Sequence, residues 1–291
     1  MTVICMSNII QWVIEPLKYG FMQRGMAAAI IAGVVCAIVG TYVVLRGMAF
    51  FGDALAHTIL PGVAIGYLVH GGARDPLFWW AMITGVAASL GIGALSNGGK
   101  IKQDTAIGII FTGMFALGIA IISTMHSYSV DLSHFLFGDV LGVSNTSLIR
   151  ISIFGGIVIL LIIAFYKEFL TISFDPVFAT TLRLPVYWLN NLLLVLIAIT
   201  IAVSMQTVGV ALMVAMLVTP AATASLLVHR LPAMMATAAC MAVISGVIGL
   251  YVSYYLGITS GSAIVLTATC GFVLAFLFAP RKGLIWSKPT R

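Results

Sequence analysis

The 291-residue chain is 62% hydrophobic and only 8% charged, with a formal net charge of +6. A soluble domain carries roughly 25% charged residues, so this chain lacks the polar groups needed to cover a water-facing surface, and lipid must take that place. Runs of apolar residues recur, each about 20 long and able to cross a bilayer. The expected fold class is therefore all-α, a polytopic helical membrane protein. The positive excess reads as membrane topology rather than as a nucleic-acid surface.

Residues 1–16 carry no basic leader and no A-x-A-like cleavage site, and within 1–20 residues 9–14 beside Glu15 and Lys18 read as a short interfacial amphipathic helix. Spans are expected at about 23–45, 53–71, 77–97, 105–126, 148–167, 186–206, 208–228, 232–256 and 261–280. The sixth and seventh runs meet so closely around Gln206 and Thr207 that 186–228 reads either as a tight hairpin or as a helix broken near Thr219-Pro220, which leaves the total at about 8–9. No soluble domain, low-complexity tract or repeat interrupts the chain, so 1–291 reads as one transmembrane domain.

Loop charge sets the orientation. Arg46, Lys100, Lys102, Lys167, Arg183, Arg230, Arg281, Lys282, Lys288 and Arg291 fall on one side of the alternating spans, and Lys18, Arg24, Arg74 and Arg150 on the other. The richer set belongs in the cytoplasm, which puts the N-terminus outside and the C-terminal tail, 281–291, inside. Two connections exceed a simple turn: an external segment, 127–147, and a cytoplasmic one, 168–185. In the second, Asp175 is a good N-cap and Pro176 a good first helical residue for the short helix DPVFATTLRL. An amphipathic helix there suits contact with a soluble motor.

Ionisable groups inside a span are costly and tend to mark a pathway or a partner. Of the eight acidic residues and five histidines, Asp53 and His57 lie together inside one apolar run. Four residues apart on a helix, they share a face, and an oxygen–nitrogen pair suits manganese, iron(II) or zinc. From spacing alone, three roles stay open: contact with a permeating cation, a proton relay in an ion-coupled secondary transporter, and a structural ion pair. Pro61 can free the His57 carbonyl from the helix ladder or merely kink the span. Thr219-Pro220 can end a half-helix beside a pathway. Met205, Met213 and Met216 nearby read mainly as packing residues. Externally, His126, Asp131, His134 and Asp139 form an acidic and imidazole-bearing rim, suited to docking a partner, to relaying metal or simply to solvation.

Several chemistries are excluded. GALSNGGKIK fails as a phosphate-binding loop, because Ala94 stands where a glycine is required and Ile follows the lysine. Paired catalytic carboxylates, a nucleophile elbow and H-E-x-x-H are missing, so an enzymatic role finds no support. Cys5, Cys36, Cys240 and Cys270 are scattered without C-x-x-C spacing.

LRGMAFFGDALAHTILPGVAIGYL, DLSHFLFGDVLGVS, SFDPVFATTLRLP, VGVALMVAMLVTPAATASLL and SYYLGITSGSAIVL occur in that order, and together they resemble the metal-permease family of ABC importers, the membrane subunits of bacterial manganese, zinc and iron uptake systems. The second span reads GDALAH where a serine before the histidine is common. The resemblance implies a bacterial plasma-membrane permease with a fold similar to the cobalamin and siderophore importers, working as a homodimer. Each copy would engage one cytoplasmic ATPase, and a metal-charged solute-binding protein would dock outside. It further implies that Asp53 and His57 contact the transported ion, with no permanently bound cofactor. The segment 175–184, including Asp175, Pro176, Phe178 and Arg183, would couple to the ATPase. The LPGV and DLSHFLFGD stretches look most like manganese-type members, with zinc and iron as alternatives.

Overall fold

The computed structural model describes residues 15–70, 74–96, 101–124 and 140–279. These form α1 (Gly20–Leu45), α2 (Phe51–Thr58), α3 (Leu60–His70), α4 (Arg74–Ser96), α5 (Gln103–Ser123), a 3-10 turn (Val140–Gly142), α6 (Asn145–Ala164), α7 (Tyr166–Phe174), α8 (Pro176–Thr181), α9 (Val186–Val208), α10 (Val210–Leu227), α11 (Leu231–Leu256) and α12 (Ser260–Phe278). With α2 and α3 counted as one span, nine helical segments among the described residues are long and apolar enough to cross a membrane, in register with the nine apolar runs. Hydrocarbon offers backbone groups no hydrogen bonds, so each span satisfies its own ladder as a helix. Hydroxyls do the same: Thr200 donates to the Leu196 carbonyl at 2.9 Å and Thr223 to the Thr219 carbonyl at 2.8 Å.

Helix α1 is the hub. It packs against α6, α9, α10 and α11, and its Ala32, Val35, Cys36, Val39 and Val43 are all buried. Small residues permit this close approach. A Cβ at Gly40 would collide with the carbonyl oxygen of Leu217 on α10. The Cys36 thiol donates to Ser204 Oγ of α9 at 3.3 Å. Helices α5, α6 and α12 are the least enclosed spans.

The paired runs at 186–228 resolve into a hairpin. Gly209 alone separates α9 from α10, with φ 84° and ψ 164°, a conformation open essentially only to glycine. The alternative of a helix broken near Thr219-Pro220 is not realised, since α10 runs on through Pro220. Proline is tolerated within a span because it removes one backbone bond while neighbours and side-chain hydroxyls help satisfy the rest. The interruption falls instead at Ile59, between α2 and α3, two residues before Pro61. Met205, Met213 and Met216 are buried core residues.

Two polar ties fix which loops share a side. The Arg150 guanidinium donates to Asp75 at 2.7 Å and lies 5.0 Å over the Phe78 ring, joining the starts of α4 and α6. At the other face Arg46, just after α1, donates to Ser173 Oγ of α7 at 3.2 Å and to Asn190 Oδ1 of α9 at 2.6 Å. Burial draws the Arg46 guanidinium down to about 10, and it remains charged near neutrality. The interfacial helix expected within 1–20 and the tail 281–291 fall largely or wholly outside the described residues.

Candidate functional site

Asp53 and His57 sit in α2 as the sequence implies, on one helical face. His57 Nε2 lies 3.7 Å from Asp53 Oδ1, and their side chains are 30% and 41% exposed. That separation is too long for a hydrogen bond. Among the described residues no third His, Cys, Asp or Glu joins them to complete a metal-binding group.

The surroundings of His57 are aromatic. Its ring meets Phe115 edge-on at 5.5 Å and Phe111 at 6.1 Å, and these two phenylalanines of α5 stack on each other at 5.8 Å. Phe50 closes the row with an edge contact to Phe111 at 5.9 Å. His57 Nδ1 is buried and has no hydrogen-bond partner. The aromatic pair escaped the sequence reading. Its only trace there is the spacing of four between Phe111 and Phe115, which places both on one face of a neighbouring span.

Pro61 does what its chemistry requires. It brings no N–H to the fourth residue before it, and the helix breaks just there. The His57 carbonyl takes the Ile59 N–H instead. A Cβ at Gly118 of α5 would come within 2.9 Å of Leu60 Cβ and 3.2 Å of the Pro61 nitrogen, so α5 presses on the break. Helix α10 reaches α2 through Leu217, which packs against Gly52 beside Asp53. Thr219 is half-buried and Pro220 buried in that helix. His126, Asp131, His134 and Asp139 of the external segment lie outside the described residues.

The cytoplasmic connection forms two short helices, α7 and α8. Asp175 caps α8, its carboxylate accepting from the Phe178 N–H at 2.8 Å, and Pro176 holds the first helical position. Arg183 closes α8 with φ 57°. Its N–H reaches the Thr180 carbonyl at 3.0 Å and the Leu184 N–H reaches the Ala179 carbonyl at 3.2 Å, a Schellman ending with arginine where glycine is usual. Phe174, Val177, Phe178 and Leu182 are each more than half exposed, so α7 and α8 present an apolar surface left uncovered among the described residues.

The family described as ABC 3 transport family matches residues 18–279. The chain is 45% identical to a manganese transport system membrane protein, MntC, of Halalkalibacterium halodurans, over 96% of this chain and 94% of that one. It is 36% identical to the chelated iron transport system membrane protein YfeD of Yersinia pestis, over 94% and 90%. Among solved structures, PsaBC from Streptococcus pneumoniae in complex with Fab superimposes with a TM-score of 0.80 at 37% identity, covering 94% of this chain and 97% of that one. The chain belongs to the ABC 3 transport family and is a multi-pass membrane permease of an ABC transporter.

Proposed function

We propose that the chain is the permease of an ATP-driven importer for a divalent transition-metal ion, manganese foremost, with iron or zinc as alternatives, and that Asp53 and His57 contact the ion in transit. The observation that carries this reading is the exposure of the Asp53 carboxylate, 41%, on a membrane span. An ionised carboxylate cannot face hydrocarbon cheaply, so this face turns toward a watery path or another protein. Metal–ligand bonds of about 2.1 Å would let an ion sit between the two donors at an angle of roughly 120°. Two protein ligands hold an ion loosely, which suits release. Water or a second copy supplies the others.

The second copy is supported by α5. Its exposed side carries Thr112, Gly113, Ala116 and Ala120 beside the larger Ile109, Leu117 and Ile119, and nothing approaches the Cβ positions of Gly108 and Gly113 within 4 Å. The exposed side of α6 carries one open glycine, Gly156, and a longer row of bulky side chains, Ile149, Ile153, Ile157, Leu160 and Ile163, suited to lipid. Small residues let helices of separate chains approach closely, so the homodimer seam follows α5 and brings two Asp53–His57 pairs to one central path.

The apolar surface of α7 and α8, with Asp175, Pro176, Phe178 and Arg183, takes the cytoplasmic ATPase, which performs the hydrolysis this chain has no motif for. The external segment, with His126, Asp131, His134 and Asp139, receives the solute-binding protein. Positive-inside counting places the N-terminus outside and the C-terminus in the cytoplasm. Pro61, Thr219 and Pro220 belong to the path through the break in the second span and the neighbouring α10. Oxygen–nitrogen sites bind zinc more tightly than manganese, so the external binding protein supplies much of the selectivity.

The test is cellular metal content by mass spectrometry, in cells lacking their own manganese and zinc importers and expressing this chain with its ATPase and binding protein. Manganese should rise with the wild type and fall to background with Asp53→Ala and His57→Ala at matched membrane levels. A rise in zinc or iron instead keeps the mechanism and changes the ion. Undiminished uptake by both variants would remove the pair from the path.

A further inference from the structure

A neutral imidazole has one lone-pair nitrogen and one N–H. If His57 offers Nε2, the atom facing Asp53, to a cation, its proton resides on Nδ1. Histidines that hold metal firmly give that second N–H to a carboxylate, a carbonyl or water, which fixes the ring and raises its basicity. His57 differs. Its Nδ1 is buried with no hydrogen-bond partner, and the ring is bounded by Phe115 at 5.5 Å and Phe111 at 6.1 Å. These rings are themselves held, Phe111 against Phe115 at an interplanar angle of 25° and Phe50 against Phe111 at 90°. Aromatic faces can receive an N–H only weakly.

We propose that Phe111 and Phe115 are positioning residues that orient the His57 imidazole by packing while denying its Nδ1 a strong acceptor, so that the ion is bound in the right place but weakly enough to be released inward. The inference rests on the reading of Asp53 and His57 as ion contacts. It accounts for the combination of a ring packed against aromatic side chains and an unpartnered nitrogen, which a purely structural histidine would not need. A histidine serving only to hold helices together gains by pairing both nitrogens. A histidine that must bind and let go gains by leaving one without a partner. The clamp also acts from a different helix, so a shift of α5 relative to α2 during the transport cycle would alter how firmly the ring is held.

The experiment uses the permease with its ATPase in nanodiscs, with manganese(II) binding read from the electron paramagnetic resonance signal of free ion, and with uptake kinetics measured in proteoliposomes. Phe115→Gln places an amide oxygen where the ring stood, and Phe115→Leu removes the ring without adding an acceptor. The Gln variant should bind manganese about tenfold more tightly, the lower end of what outer-shell partners contribute to metal sites. Its KM and maximal uptake rate should fall together. The Leu variant should bind no more tightly than wild type. Phe111→Gln and Phe111→Leu repeat the test should position 115 tolerate no amide. Equal affinities for the Gln and Leu variants, at either position, overturn the proposal. His57→Ala separates the two levels: binding retained there sinks the ion-contact reading itself, whereas binding lost there, with Gln and Leu alike, sinks only the aromatic clamp.

Discussion

Arg46 Nη1 donates to Asn190 Oδ1 at 2.6 Å while Nε donates to Ser173 Oγ at 3.2 Å, so one half-buried cation ties the end of α1 to both α7 and α9. Among the described residues it pairs with no carboxylate. It stands seven residues before Asp53 and contacts the helix that leads into α8, which places it between the surface assigned to the ATPase and the ion pair. Arg46→Met should cost about 2 kcal/mol, the worth of hydrogen bonds to a charged donor, read as a shift in reversible unfolding in mixed micelles. It should also lower uptake per ATP hydrolysed. An unchanged transport-to-hydrolysis ratio would reduce Arg46 to a packing residue.

Two glycines set how α10 meets its neighbours. A side chain at Gly40 would collide with the Leu217 carbonyl, and Gly209 makes the α9–α10 turn at φ 84°. Gly40→Ala and Gly209→Ala should each cost about 1–3 kcal/mol, the first by overpacking and the second by backbone strain. Unfolding of the purified variants checks both. Gly113→Ala serves as the control, because no atom lies within 4 Å of that Cβ position.

The same open space makes Gly113 a probe of the seam. Gly113→Leu adds bulk at a position whose Cβ has no described atom within 4 Å. If α5 faces lipid, the variant should behave as wild type. If α5 faces a second copy, the complex should fall apart or loosen, visible by mass photometry in detergent and as lost uptake. A stable, fully active complex would move the interface elsewhere.

Arg183 occupies a left-handed position at φ 57° that glycine would fill with less strain. Arg183→Gly should therefore stabilise the ending of α8 by about 1 kcal/mol. If the side chain contacts the ATPase, the same change should nevertheless lower binding of that subunit. Asp175→Ala removes the cap on Phe178 and should cost about 1 kcal/mol locally. It should weaken ATPase binding with no change in manganese(II) affinity at Asp53 and His57. Pull-down of the ATPase and metal binding, measured on the same preparations, separate the two effects.

Much of this protein was legible before any coordinates. Hydropathy marks eight or nine spans, and nine form among the described residues, because hydrocarbon forces every crossing segment to be a long apolar helix with its own bonds satisfied. Asp53 and His57 stood out because charge is rare within such segments, and their spacing of four placed them on one face. Asp175 and Pro176 announced α8 because capping is local chemistry, readable from adjacent residues. What the sequence could not supply depends on which helices lie side by side. The sequence left 186–228 open between a tight hairpin and a helix broken near Thr219-Pro220; the hairpin forms and the break lies at Ile59, since neighbouring contacts determine whether a proline interrupts its span. Phe111 and Phe115 are more than fifty residues from His57 in sequence and touch it only because α5 packs on α2. Arg46 likewise meets Ser173 and Asn190 across more than a hundred residues. Local rules assign each residue to a helix and a face, whereas the partner of that face is chosen by packing among all the spans at once.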